Sequence, residues 1–269
     1  MDKVTAHTGT DAASGLTGAD PLFDLTGKVV LVTGGSRGLG RAMVRAFAAR
    51  GAHVVIASRK LEACQALAKE IAAAHGGEAF PVSCNVNDWS RCDELADVVY
   101  ERFGRVDVLV NNAGSSPTFP SLDAVTEELY DKVLALNLKG PFRLMARIGT
   151  AMAAADGGSI INISSLASVR PSPILVPYAA AKAGLNALTE GFARVLAPKV
   201  RVNAILAGPF ATDVFAGWDP ETFNAVMAEP LALKRAGRPE EIVGAALYFA
   251  SAASSFCTGS LLRVDGGAP

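Results

Sequence analysis

The chain has 269 residues, half of them hydrophobic and 19% charged, with 25 Lys and Arg against 26 Asp and Glu. That is enough apolar chain to bury a large core without staples, and it excludes a disordered polymer. A balance this near zero supplies no broad field for nucleic acid or an anionic membrane, so the expected partner is a small molecule.

Met1 to Ala19 is rich in Gly, Thr, Ala and Asp and lacks the apolar stretch of a signal peptide. No later apolar run escapes interruption by charge or glycine long enough to span a bilayer. The four cysteines, Cys64, Cys84, Cys92 and Cys257, lie too far apart in sequence for dithiol or metal-ligand spacing. A flexible extension over residues 1–21, one domain over residues 22–269, reduced thiols and a cytoplasmic setting are expected.

From Val29 the chain alternates short apolar runs with longer segments of helical periodicity. The first strand is read at Val29 to Val32, with others at residues 54–57, 79–82, 106–110, 159–163, 200–205 and 261–264. Helices are read near residues 39–50, 61–74, 88–103, 123–153, 177–197 and 239–252. Strands that are nearly all apolar imply burial on both faces, so the expected fold is a single α/β domain. Its doubly wound parallel sheet has about seven strands with helices on both sides. Ala207 to Leu231 breaks the pattern with glycines and prolines around apolar Phe210, Val214, Phe215 and Trp218. It reads equally as a flap over a pocket or as a surface loop.

Directly after the first strand comes Thr33-Gly34-Gly35-Ser36-Arg37-Gly38-Leu39-Gly40, followed by a helix. Strand, glycine turn and helix in that order form a dinucleotide-binding pattern. Gly34 takes the tight turn, Gly38 admits the pyrophosphate and Gly40 allows close packing. The helix presents free amides to the phosphates. The second strand ends in Ser58-Arg59-Lys60 with no carboxylate to hold a ribose 2′-hydroxyl, and Arg59 with Arg37 suits a 2′-phosphate. NADP(H) is therefore expected over NAD(H).

Tyr178 and Lys182 stand four apart, one helical turn from each other on one face. A phenol beside an ammonium can exchange a proton near neutral pH. Asn111-Asn112-Ala113-Gly114 and Ser165 close the fourth and fifth strands, at the edge where open α/β sheets bind ligands. With these motifs in this order, the sequence resembles the short-chain dehydrogenase/reductase family over about residues 22–267. Within it the chain is similar to 3-oxoacyl carrier-protein reductases and gluconate 5-dehydrogenase-like members.

The resemblance implies catalytic roles for Asn137, Ser165, Tyr178 and Lys182. Tyr178 would pass the proton, Ser165 would hold the carbonyl oxygen, and Lys182 would lower the tyrosine pKa and bind the nicotinamide ribose. Asn137 would position a relay water through its helix backbone. Implied cofactor contacts come from Gly34, Ser36, Arg37, Gly38, Leu39, Gly40, Ser58, Arg59, Asn85 and Val86. Further contacts are implied from Asn112, Ala113, Gly114, Tyr178, Lys182, Gly208, Pro209 and Thr212, and no metal is implied. A homotetramer or homodimer through the helices near 123–153 and 177–197 is also implied.

Two departures stand out. Asn85 replaces the usual Asp near the adenine, and Ala207 replaces a common Pro, which is expected to loosen the start of the flap. Phe210, Val214, Phe215, Trp218, Pro173, Leu175 and the Ser115-Ser116-Pro117 loop are read as pocket lining, which favours a moderately apolar ketone or 3-oxoacyl thioester. The alternatives are a polyol or sugar-acid dehydrogenase and a non-catalytic nucleotide sensor. His7, His53 and His75 form no triad or metal set.

Overall fold

In the computed structural model the described residues are 20–74, 78–212, 221 and 228–269. Seven strands form one parallel sheet: β1 Val29–Thr33, β2 His53–Ser58, β3 Ala79–Ser83, β4 Val108–Asn111, β5 Gly158–Ser165, β6 Val200–Ala207 and β7 Leu261–Val264. Their order is β3-β2-β1-β4-β5-β6-β7. Helices α1 Gly38–Ala48, α2 Leu61–Ala74 and α3 Trp89–Phe103 follow the first three strands. A long helix after β4 is made of α4 Glu127–Leu134, α5 Gly140–Leu144 and α6 Thr150–Ala154. Two π turns, Ala135–Lys139 and Met145–Gly149, join these pieces. α7 Val176–Val195 links β5 to β6, and α8 Val243–Ala250 precedes β7.

Strand alternation divides the core in two. Val30, Val32, Val54 and Ile56 point into a layer closed by Met43, Phe47, Leu67, Ile71 and Phe249 of α1, α2 and α8. Val29, Leu31, Val55 and Ala57 point the other way, against Leu95, Val99, Leu144, Ile148 and Leu185 of α3, α5, α7 and the second π turn. Each fully buried Leu or Ile contributes about 1.5–3 kcal/mol, so the central strands need no polar help to stay in register. The edges depart from the expectation of two-sided burial: β3 is only partly covered and Leu262 of β7 is exposed. Edge strands have a neighbour on one side only, and helical cover thins there.

Other boundaries shift for local reasons. β4 begins at Val108 rather than 106, because the buried Asp107 carboxylate accepts the Val29 amide at 2.9 Å and the Arg105 guanidinium at 3.0 Å. Asp88 caps α3, and Gly104, at φ 70°, ends it. Ala207 does not loosen the chain. It is the last residue of β6, buried, and aligned with Ser165 on one side and Val264 on the other. At the start, Asp20 caps a 3₁₀ turn over Pro21–Phe23, and Leu25 joins the core.

Strand order reverses between β1 and β4, so the crevice at their carboxyl ends is the ligand position this topology offers.

Candidate active site

The first half of the crevice is built from backbone. Gly34 has φ +63°, and a Cβ there would sit 2.9 Å from Ala113 Cα. At Gly40 a Cβ would lie 2.2 Å from the Gly34 carbonyl oxygen. Both positions therefore exclude every other side chain, and the turn packs directly on the end of β4. Thr33 Oγ1 accepts the amides of Asn112 and Ala113 at 3.0 and 3.1 Å. Asn112 Nδ2 returns two hydrogen bonds, to Thr33 O at 2.8 Å and Gly34 O at 3.1 Å. Asn112 thus holds the floor together, and Thr33, which the sequence pattern alone did not single out, is its partner.

Arg37 is the N-cap of α1 with no side-chain cap bond, which leaves the first-turn amides of Gly38, Leu39 and Gly40 pointing outward. Thr212 overhangs them, 3.5 Å from where a Gly38 Cβ would be. Gly208 ties its strand end to β7 through Val264 O at 3.0 Å, and Pro209 O accepts the Gly237 amide at 3.0 Å. Ser36 and Ser58 share a hydroxyl–hydroxyl bond of 3.0 Å, which joins the glycine loop to the end of β2. Arg37 and Arg59, next in the chain to these serines, are exposed, and among the described residues neither has an acidic partner. Asn85 is exposed beyond β3, whereas Val86 is buried against α3, its carbonyl accepting Cys92 Sγ at 3.5 Å.

Side chains build the second half. Ser165 ends β5 and its Oγ accepts the Ala167 amide at 3.1 Å. Tyr178, in the first turn of α7, hydrogen-bonds Ser165; burial is the larger influence and pushes the phenol above its ordinary range, while the Ser165 bond lowers it. One turn on, Lys182 is buried with its Nζ 5.7 Å from the Tyr178 ring centroid, donating to Ile163 O at 2.8 Å. Burial pushes this amine down to about 8. The expected lowering of the phenol by Lys182 is thus not the dominant effect. The ammonium is turned to a strand carbonyl, and desolvation acts on both groups.

Asn137 lies inside the first π turn, a kind of distortion often found at functional sites. Its Nδ2 donates to Ser115 O and Val133 O, both at 3.0 Å, and its buried Oδ1 has no partner. A Cβ on Gly114 would be 3.0 Å from that oxygen and 3.5 Å from Lys182 Nζ. Asn137, Lys182 and Gly114 therefore border one small space beside Tyr178. Beneath it, Asn111 Nδ2 donates to Asn162 Oδ1 and Asn162 Nδ2 donates to Thr189 Oγ1, each at 2.9 Å.

The expected lining is only partly met. Phe210 is a core residue, 5% exposed and packed on Gly237, because the chain after β6 pairs with Gly237 instead of swinging over the cleft. Val214, Phe215 and Trp218 lie outside the described residues. Pro173 and Leu175 form a 3₁₀ turn leading into α7, beside the cleft mouth. His53 accepts the Glu78 amide and serves the sheet, while His7 and His75 lie outside the described residues. No helix among the described residues is long and apolar enough to cross a membrane.

A dinucleotide fits these residues: the glycine turn packs on β4 and leaves the first-turn amides of α1 with no side-chain cap, and the buried acceptor Asn137 Oδ1 stands unmatched in the same crevice. The model of a family described as enoyl-(acyl carrier protein) reductase matches residues 34–269. The human protein named dehydrogenase/reductase SDR family member 4 is 36% identical over 96% of this chain and 92% of its own. The 3-oxoacyl-[acyl-carrier-protein] reductase of Thermotoga maritima is also 36% identical, over 90% of this chain and 98% of its own. Among solved structures, a 3-oxoacyl (acyl-carrier-protein) reductase from Agrobacterium tumefaciens with NADP bound superposes with a TM-score of 0.87. It is 34% identical, over 91% of this chain and 96% of that one.

Proposed function

The chain belongs to the short-chain dehydrogenase/reductase family, and from that premise we propose that it reduces a ketone reversibly to a secondary alcohol with NADP(H). The observation that carries this reading is the stripe of Tyr178 and Lys182 on one face of α7, set against Ser165 and beside the glycine cradle. The glycine turn and the α1 amides would hold the pyrophosphate. Arg37 and Arg59, free of acidic partners among the described residues, would hold a 2′-phosphate. Asn112, Ala113, Gly114 and Lys182 would border the nicotinamide ribose, and Gly208 to Thr212 would close the cradle from above.

The bound nicotinamide supplies hydride in one direction and accepts it in the other. Burial keeps the Tyr178 phenol protonated at neutral pH, so it can pass its proton to a carbonyl oxygen. Ser165 Oγ already accepts the Ala167 amide, and its single proton, given to the Tyr178 oxygen here, would turn to that same carbonyl oxygen when substrate is bound. Lys182 spends one of its three N–H donors on Ile163 O, and the others face the space that Asn137 Oδ1 borders. Lys182 would return a proton to Tyr178 after each turnover, and a water donating a hydrogen bond to Asn137 Oδ1 would resupply the amine. The apolar 3₁₀ turn at Pro173–Leu175 favours a moderately apolar ketone or a 3-oxoacyl thioester. This reading also takes in a cytoplasmic enzyme with four free thiols, associating through the helices after β4 and β5.

A spectrophotometric panel of ketones, 3-oxoacyl thioesters and polyols, run with NADPH and with NADH, tests it. Oxidation of NADPH by an apolar ketone or thioester is the expected result. A protein active only on polyols with NAD would overturn both the substrate class and the cofactor assignment.

A further inference from the structure

Tyr178, Lys182 and Asn186 stand at positions i, i+4 and i+8 of α7, so one stripe of that helix faces the end of β5. Asn186 is 7% exposed, and a buried amide must have its polar atoms met. Its Oδ1 accepts the Ser164 hydroxyl at 2.7 Å, and its Nδ2 donates to Ser168 Oγ at 2.8 Å. Ser168 in turn donates its only hydroxyl proton to the carbonyl oxygen of Ser165 at 2.6 Å. The chain of bonds thus runs from β5 through the helix and back to the residue that faces Tyr178. An amide nitrogen can only donate, the single Ser168 proton goes to Ser165 O, and the Ser164 proton goes to Asn186 Oδ1 at 2.7 Å in preference to Lys182 O at 3.4 Å.

We infer that Asn186, Ser164 and Ser168 form a clamp that sets the position of Ser165 relative to Tyr178, with Asn186 and Ser168 acting as positioning residues for the reaction. The inference rests on the oxidoreductase reading above. The 3₁₀ turn Leu166–Ser168 is held internally by the Ala167 amide on the Ser165 side chain and by the Val169 and Arg170 amides on Leu166 O, all of them bonds within the turn and its flanks. Without the clamp nothing else among the described hydrogen bonds ties that turn to α7. A displaced Ser165 would then meet the carbonyl oxygen off line, and errors of about 1 Å in such contacts cost up to about a hundredfold in rate.

The test compares Ser168→Ala, Asn186→Leu and Ser168→Thr with the parent on whichever substrate the panel finds. Ser168→Ala and Asn186→Leu are expected to lose about tenfold or more in kcat, with the KM for NADPH unchanged and faster amide exchange confined to residues 165–169. Ser168→Thr restores the hydroxyl and with it most of kcat. Ser168 is half-buried, so its alanine variant keeps the test open should Asn186→Leu fail to fold. Parent kcat in both disruptive variants, with Tyr178→Phe inactive, overturns the clamp and leaves the oxidoreductase reading standing. A parent that oxidises no NADPH on the panel overturns that reading, and the clamp is then decided by exchange: unchanged protection of residues 165–169 in Ser168→Ala overturns it.

Discussion

The two halves of the crevice are made of different material. The half at β1 and β4 works by leaving side chains out: its shape comes from Gly34 and Gly40 closing on Ala113 and on each other. The half at β5 and α7 works by enclosing polar side chains, half-buried Ser165 and Tyr178 and buried Lys182 and Asn186, each with a named partner. The first is above all vulnerable to added volume. The second tolerates little change in hydrogen-bonding chemistry even where volume is preserved.

The sharpest break in that comparison is Tyr178→Phe, which removes one oxygen and keeps the ring. It is expected to lower kcat about 10²–10⁴-fold while leaving NADPH affinity near the parent value. Kinetics with direct cofactor titration decide it, and parent turnover would remove Tyr178 from the reaction. On the backbone side the opposite change is the informative one. Gly40→Ala adds one methyl group 2.2 Å from a carbonyl oxygen, and is expected to cost about 1–3 kcal/mol in denaturant unfolding and to weaken both cofactors together.

Arg59→Ala sharpens the cofactor half further, since it tests charge where shape is otherwise decisive. NADPH dissociation should rise by about tenfold, the worth of a charge-assisted hydrogen bond to phosphate, and NADH should not change. The smallest effect belongs to Lys182. Its amine falls from 10.5 to about 8 on folding, so between these values the unfolded chain holds a proton that the folded chain has released. Stability should therefore rise with pH from about 8 upward, by at most about 1.4 kcal/mol per pH unit, relative to Lys182→Met. Urea unfolding at pH 7 and pH 9 measures the difference, and parallel pH profiles would contradict a buried, uncompensated ammonium.

The glycine-built half of the crevice was largely legible in the sequence because its requirements are local. A strand, Gly34 to Gly40 and a helix lie within one short stretch, and the Ser58-Arg59-Lys60 ending of β2 is visible without knowing the fold. Tyr178 and Lys182 were legible for the same reason, as neighbours on one helix. Asn186 extends that stripe by one more turn, yet an Asn in a helix has no signature until Ser164 and Ser168 are seen around it. Ser164 has no signature of its own beside Ser165, since what it bonds lies 22 residues away. Phe210 misled through composition: apolar residues near glycines and prolines fit a flap, but the Gly237 pairing that turns it inward is long-range. The position of Asn137 was read correctly as helical, whereas the widened turn around it leaves no mark in apolar periodicity.

That widened turn has a consequence for how the protein can change. Each π turn stores one residue more than a regular helix would need, like a spare letter tucked into a line without moving the words after it. Deleting a residue between Ala135 and Lys139 would let the spare be reabsorbed and leave α5 and α6 in place. It would also swing Asn137 by about 100°, away from Ser115 and Gly114. A lineage losing that letter would keep its fold and forfeit the proposed proton path, so the length of this helix bears directly on the proposed active site.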